Sequence, residues 1–294
     1  MFIFTPFRGW GFKNKGKPTM FTLNCRGRLL TINQPIVMGI INATPDSFFS
    51  GSRQQTIDAV LLQAEKMIKE GATILDIGGQ STRPGSEKIT AEEESARVCT
   101  LIDAINNAFP GTYISIDTYY VAVAKEAVLA GASIVNDISG GFMDEAMLAT
   151  VAELKTPFIC MHMKGTPQTM QQFASYENIT KEVLEYFIER TEACRLAGIN
   201  DVIIDPGFGF SKTIAHNFEL LRNMSAFKML QKPILAGLSR KGTIYKTLGI
   251  TADEALNGTT VLNTIALMNG ATILRAHDVK EAMETIKLMQ AYWQ

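Results

Sequence analysis

Asp205 ends the short run Val202, Ile203, Ile204 and is followed at once by Pro206 and Gly207. A β-branched run of this kind reads as a strand buried on both faces. Proline brings no N–H and glycine accepts turn dihedrals, so the ladder stops there. A carboxylate at the mouth of a buried strand costs free energy unless it meets a partner. A turn-former or a helix N-cap is the plain alternative, but the next helical pattern begins several residues later. The arrangement also recurs. Asn42, Asp76, Asp117, Asn136, Asp137, His162, Ser239, Lys241, Arg275 and His277 all stand at the ends of similar apolar runs, whose other ends carry little beyond Gly, Ala and Pro.

Two chemistries are implied. Asp117, Asn136, Asp205 and Lys241 offer acceptors and donors suited to a flat heterocycle with an amidine-like edge, because a carboxylate accepts from two adjacent N–H groups. Lys241 would also favour ionised carboxylates. Arg275, His277 and Asn42 read as a separate cluster, with Arg suited to phosphate oxygens and Asn to a hydrated Mg2+. Several residues keep a structural alternative. His162 fits a satisfied core histidine as well as a site residue, and Asp76 fits a buried structural carboxylate. Asp137 fits a brace for its neighbours, and Arg240 a rim ion pair. Phe208 and Phe210 read either as exposed loop aromatics or as a stacking platform. Met161 and Met163 read first as core filling.

The elements that must position these residues alternate in type. Buried-strand runs over 35–42, 71–79, 113–117, 131–139, 157–163, 202–205, 233–239 and 270–277 are separated by helical patterns over 56–70, 91–108, 121–130, 144–154, 179–197, 218–227 and 252–269, with a last helix over 279–289. Three helix-to-strand joints, at Gly71, Gly131 and Gly270, share the pattern Gly-Ala-(Thr/Ser)-Ile, as expected where a glycine at helix C′ leads straight into a buried strand. Eight such units in 294 residues predict an α/β fold, a closed (β/α)8 barrel of the TIM type. An open doubly wound sheet is the alternative, but it normally carries a Gly-rich dinucleotide turn, of which Gly207-Phe-Gly209 is only a fragment. Phe21 to Asn33 reads as a β-hairpin that plugs the N-terminal end of the barrel. Residues 1–19 mix aromatic and basic side chains without the continuous apolar segment of a signal peptide. They are expected to form a disordered or loosely docked extension, leaving 20–294 as one domain, and Met20 is a second possible start. Intact mass of the native protein distinguishes the two starts.

Twenty-eight basic against 29 acidic residues leave a net charge of −1, which favours neither nucleic acid nor an anionic membrane surface as partner. The apolar runs are too short for a transmembrane helix. Cys25, Cys99, Cys160 and Cys194 are scattered without metal spacing, as expected of reduced thiols in a cytoplasmic protein.

Taken together, Asn42-Ala-Thr-Pro-Asp-Ser-Phe48, Gly79-Gln-Ser-Thr-Arg-Pro-Gly85, Ile116-Asp-Thr118, Asn136-Asp137, Met161-His-Met163 with Gly165-Thr-Pro167, Asp205-Pro-Gly-Phe-Gly-Phe210, Ser239-Arg-Lys-Gly242 and Arg275-Ala-His-Asp278 resemble the dihydropteroate synthase family, in order from about Phe21 to the C-terminus. The resemblance implies a folate-pathway transferase that joins 6-hydroxymethyl-7,8-dihydropterin pyrophosphate to p-aminobenzoate and releases pyrophosphate. It implies that Asp117, Asn136, Asp205 and Lys241 hold the pterin, with Met161 beside it. Asn42, Arg275 and His277 would take the pyrophosphate, with Mg2+ at Asn42. Thr82, Arg83, Pro84, Phe210, Ser239 and Lys241 would form the p-aminobenzoate pocket, where sulfonamides compete. Arg275, His277, Lys241 and Asp117 are then the expected catalytic residues, and a homodimer packed through late barrel helices the expected assembly. The sequence departs from the family pattern at Ser211, where Gly is usual, and at Gln80, where Glu is common; both affect loop geometry. A methyltetrahydrofolate-binding methyltransferase has no use for a pyrophosphate cradle, and a non-catalytic pterin-binding module would not need to keep one.

Overall fold

In the computed structural model, residues 20–43, 53–81 and 87–294 are described. The hairpin comes first, β1 (Phe21–Cys25) and β2 (Arg28–Ile32), antiparallel around Arg26 and Gly27. The barrel strands follow in order: β3 (Ile36–Asn42), β4 (Ile74–Gly78), β5 (Tyr113–Asp117), β6 (Ile134–Asp137), β7 (Phe158–Met161), β8 (Val202–Asp205), β9 (Leu235–Ala236) and β10 (Ile273–Ala276). Hydrogen bonding runs β8-β7-β6-β5-β4-β3-β10-β9. A parallel bridge between Ile204 and Ile234 joins β8 to the start of β9 and closes the ring. The (β/α)8 barrel is therefore the fold, with the hairpin ahead of it.

The helices form the outer layer: α1 (Arg53–Glu70), α2 (Ala91–Ala108), α3 (Val121–Ala130), α4 (Met147–Leu154), α5 (Ile179–Ala197), α6 (Ile214–Asn223), α7 (Gly242–Leu248), α8 (Leu256–Met268) and α9 (Val279–Trp293). Thr90 opens α2 through a capping box with Glu93, which satisfies two backbone donors that a helix start would otherwise leave bare. The repeated joint glycines behave as expected, with φ of 108° at Gly71, 127° at Gly131 and 101° at Gly270. The helix predicted over 218–227 lies instead at Ile214–Asn223, because Thr213 caps it: its side chain accepts from His216 N and its own N–H donates to His216 Nδ1. Histidine in place of the usual Glu hides that cap from the sequence pattern.

Strand parity decides what enters the barrel. Val37, Leu75, Val135, Cys160, Ile204, Ala236 and Leu274 face outward and join the helix-packed core. Their neighbours Met38, Ile74, Ile134, Ile159, Ile203, Leu235 and Ile273 face inward and pack with Leu23, Cys25, Leu30 and Ile32 of the hairpin. The lower barrel is thus an apolar plug sealed by the hairpin. Truncating one of its members, such as the fully buried Ile203, to alanine is expected to cost about 2–5 kcal/mol. Two residues further along, the same parity brings Asp76, Ser115, Asn136, Met161, Asp205 and Arg275 into the upper lumen, and Asn42 and Asp117 above them. No helix among the described residues is long and apolar enough to cross a membrane.

Candidate active site

Arg275 enters the lumen from β10 and meets two carboxylates. Its Nε donates to Asp76 Oδ2 at 2.6 Å, and its Nη2 donates to Asp117 Oδ2 at 2.6 Å. Asn136 Nδ2 donates to the same Asp76 oxygen at 3.2 Å. Asp76 is fully buried, and its Oδ1 has no hydrogen-bond partner among the described residues. Burial alone would depress the Arg275 guanidinium, but Asp76 and Asp117 together outweigh it and hold the charge firmly. Burial pushes Asp117 up to about 7; Arg275 opposes the rise, while Asp76, Asp137 and Asp205 add to it. The expectation of a cationic cluster separate from the acids is therefore corrected. Inward-facing side chains of β4, β5 and β10 share one lumen, so the Arg275 guanidinium pairs with the acids it meets there.

Asp205 lies across the mouth. Its Oδ1 accepts from Gly207 N at 2.8 Å. Burial raises its pKa, with Lys241 as the main opposing charge. Lys241 donates through Nζ to Phe208 O at 2.5 Å, and the same nitrogen sits 4.9 Å from the centre of the Phe210 ring. Burial lowers its ammonium to about 8, against the pull of Asp205. Phe208 is fully buried and belongs to the outer core, whereas Phe210 is half-buried beside Lys241 and Met161. Of the two aromatics, only Phe210 can serve as a stacking face.

Ser239 and His277 are joined. Ser239 Oγ accepts from His277 N at 3.2 Å and lies 3.0 Å from His277 Nδ1. Arg240 is the rim ion pair that the sequence allowed, bidentate to Asp278 at 2.9 and 2.8 Å. Asp137 is the brace: its carboxylate accepts from Ser139 N, Ser139 Oγ and Gly141 N behind the strand ends. His162 is 3% exposed and points away from the lumen, opposite in parity to Met161, so its core reading is the one observed. Met161 is buried beside Tyr119, Ile138 and Met170.

Gln80 fastens the segments flanking residues 82–86. Its Nε2 donates to Ser81 O and Glu87 O, and its Oε1 accepts from Ile89 N. A glutamate there could accept but not donate. The residues expected to complete a p-aminobenzoate pocket, Thr82, Arg83 and Pro84, lie outside the described residues, as do the loop over 44–52 and residues 1–19. The Mg2+ expectation meets a sparse donor set: among the described residues no group of three His, Cys, Asp or Glu side chains converges on a metal position. Asn42, half-buried at the end of β3, fits one amide ligand to an ion whose other ligands are phosphate oxygens and water.

Sequence reasoning missed Lys212. It is 4% exposed and follows Ser211, with nothing in its local pattern to mark it as buried. Only the fold of the turn after β8 draws it inward.

A parallel barrel whose C-terminal mouth gathers carboxylates, an amide, a lysine and an arginine defines a small-molecule enzyme of the TIM-barrel class. Residues 38–277 match the pterin binding enzyme family, and the chain belongs to that family. It is 41% identical over 271 residues to the dihydropteroate synthase of Escherichia coli strain K12, covering 92% of this chain and 95% of that one. Dihydropteroate synthase of Yersinia pestis, solved in a sulfonamide drug complex, superposes with a TM-score of 0.87 at 38% identity, covering 92% of this chain and 99% of that one. Dihydropteroate synthase of Xanthomonas albilineans, solved with 7,8-dihydropteroate, gives 0.83 at 35% identity, covering 92% and 98%.

Proposed function

We propose that this chain is a dihydropteroate synthase, condensing 6-hydroxymethyl-7,8-dihydropterin pyrophosphate with p-aminobenzoate to give 7,8-dihydropteroate and pyrophosphate. The observation that carries the reading is the lumen itself. Asp117, Asn136, Asp205 and Lys241 converge above an apolar floor, with Arg275 tied to Asp117 at 2.6 Å. The carboxylates suit the amidine-like edge of a pterin, and burial strengthens each charge-assisted bond. Phe210 and Lys241 flank the side from which an aromatic amine would approach, near Ser239.

In the reaction, the bond from the pterin methylene carbon to the diphosphate oxygen breaks and a bond to the aniline nitrogen forms. The conjugated ring stabilises positive charge at that carbon, so departure of the diphosphate leads. Arg275 and His277 are assigned to the charge that leaves, which is the electrostatic contribution expected of preorganised donors. Asp76 and Asp117 engage Nε and Nη2 of Arg275, so Nη1 is the nitrogen this reading assigns to phosphate. The aniline nitrogen gives up its proton readily once alkylated, so the reaction needs no strong general base. Asn42 would hold Mg2+, which neutralises diphosphate charge when bound. A homodimer is the proposed assembly, supported by Leu248, Val261 and Met268, exposed on α7 and α8; light scattering checks it. A reducing, cytoplasmic setting fits the four free thiols. The activity is tested by incubating the protein with Mg2+, pterin pyrophosphate and p-aminobenzoate. Pyrophosphate release that requires the aniline is the expected result, and its absence refutes the reading.

A further inference from the structure

The Lys212 amine lies behind the site, not in it. Its Nζ is 2.9 Å from His162 Nδ1, 3.0 Å from Gly207 O, 3.0 Å from Phe210 O and 3.3 Å from His162 O. Two carbonyl oxygens and the His162 Nδ1, an acceptor in the Nε2–H tautomer, lie within 3.0 Å and match the three hydrogens of an ammonium, whereas a neutral amine has two. The group is buried away from bulk water, and burial pushes its pKa well below the ordinary lysine range, with Asp205 opposing. Such a group is costly to bury unless every hydrogen is used. It encloses itself in the turn that follows β8. Gly207 has φ 69°, and a Cβ there would stand 2.1 Å from His162 O, so the turn is pressed against the end of β7. Ser211, at φ 47°, adds a second tie, because its Oγ accepts from Lys164 N at 2.9 Å.

One of the two bonds that Lys212 makes to this turn, at Gly207, leads directly to the lumen, and the other, at Phe210 O, holds the far end of the turn. Gly207 offers its carbonyl oxygen to Lys212 and its N–H to Asp205 Oδ1. The carbonyl of Phe208, on the opposite side of the turn, receives Lys241. We propose that Lys212 is a positioning residue for pterin binding: its amine closes the Gly207–Phe210 turn onto His162 and so fixes the Asp205 carboxylate and the Lys241 ammonium at the barrel mouth. The inference rests on the pterin reading above, and it assigns Lys212 no contact with substrate.

The test is steady-state kinetics with pterin pyrophosphate and p-aminobenzoate in the full chain, using wild type, Lys212→Met, His162→Phe and Ile203→Ala. Ile203→Ala loosens the lower plug without touching the turn and serves as a stability comparison. A variant that is only less stable loses active fraction, so its apparent kcat falls while KM stays. For Lys212→Met the KM for pterin pyrophosphate is expected to rise at least tenfold, while Ile203→Ala leaves it unchanged. His162→Phe withdraws one acceptor and keeps the ring shape; a threefold or greater rise in KM is expected, and this variant decides the matter if Lys212→Met does not fold. Wild-type turnover together with a pterin KM within 1.5-fold of wild type in the folded variants overturns the inference alone. Absence of wild-type turnover overturns the pterin reading instead.

Discussion

Replacing Arg275 by methionine tests how the lumen balances its charge. The substitution keeps most of the side-chain volume and removes the guanidinium that donates to Asp117 Oδ2 at 2.6 Å and to Asp76 Oδ2 at 2.6 Å. Asp76 would keep only Asn136, at 3.2 Å, with Oδ1 already bare among the described residues. Breaking a buried pair by removing one partner costs about 3–5 kcal/mol, because the remaining charge is stranded. For a chain of 294 residues, with an unfolding entropy of about 0.6 kcal/mol/K, that corresponds to a fall in Tm of roughly 5–8 °C. The pH dependence gives a second check. Burial already raises Asp117 to about 7 with Arg275 in place, and losing the guanidinium moves it higher. A carboxyl with a raised folded pKa binds more protons folded than unfolded. Its contribution is fully present below the unfolded value, about 4, and is lost as pH rises through the folded value. The deficit of Arg275→Met should therefore be smaller at pH 5.5 than at pH 8.5, and adding Asp76→Asn should recover part of it. Urea unfolding at the two pH values measures this. A deficit below about 1 kcal/mol at pH 8.5, or one that grows on acidification, would refute the argument.

Three further outcomes follow from the same geometry. Asp205→Asn keeps the shape but loses the charge that accepts from two N–H groups; binding of a free pterin, measured by calorimetry, should weaken by about 3 kcal/mol, on the order of 100-fold. Pterin binding that needs Asp117 ionised and Lys241 protonated should be strongest between about 7 and about 8, falling below as Asp117 takes a proton and above as Lys241 loses one; Lys241→Arg should extend the alkaline limb of kcat/KM, and an unmoved limb counts against Lys241. Chelation of divalent metal should stop turnover while leaving free-pterin affinity within about twofold, and Asn42→Ala should raise the Mg2+ needed for half-maximal rate roughly tenfold, about 1.4 kcal/mol; an unchanged Mg2+ requirement removes Asn42 from that role.

The sequence made the barrel and its active end legible because both are written in local patterns. The strands covering 113–117 and 202–205 and the helices over 91–108, 121–130 and 179–197 lie where periodicity puts them. Others shift where the signal is weak. The strand read over 233–239 shrinks to Leu235–Ala236, since Gly237 and the Ser239–Gly242 turn leave the ladder, and α7 follows unannounced. Asp205, Asn136 and Arg275 could be chosen from sequence because a polar residue after an apolar run is conspicuous. Lys212 could not, because one more lysine beyond a glycine-rich turn looks like any solvated charge.

The order of residues along the chain therefore determined the eight strand–helix units, the polar rim at one end and the apolar plug at the other. Strand parity, the fact that alternate side chains point to opposite faces, then separates Met161 from His162 and Asn136 from Asp137, sending one of each pair into the lumen and one behind it. Which charges meet was decided only when the ring closed. Arg275 and Asp76 are 199 residues apart in sequence and 2.6 Å apart in space, because closure makes β10 and β3 neighbours and sets β4 next to them. The Lys212 amine depends on the same cause, since its acceptors come from two strand ends that only packing brings together.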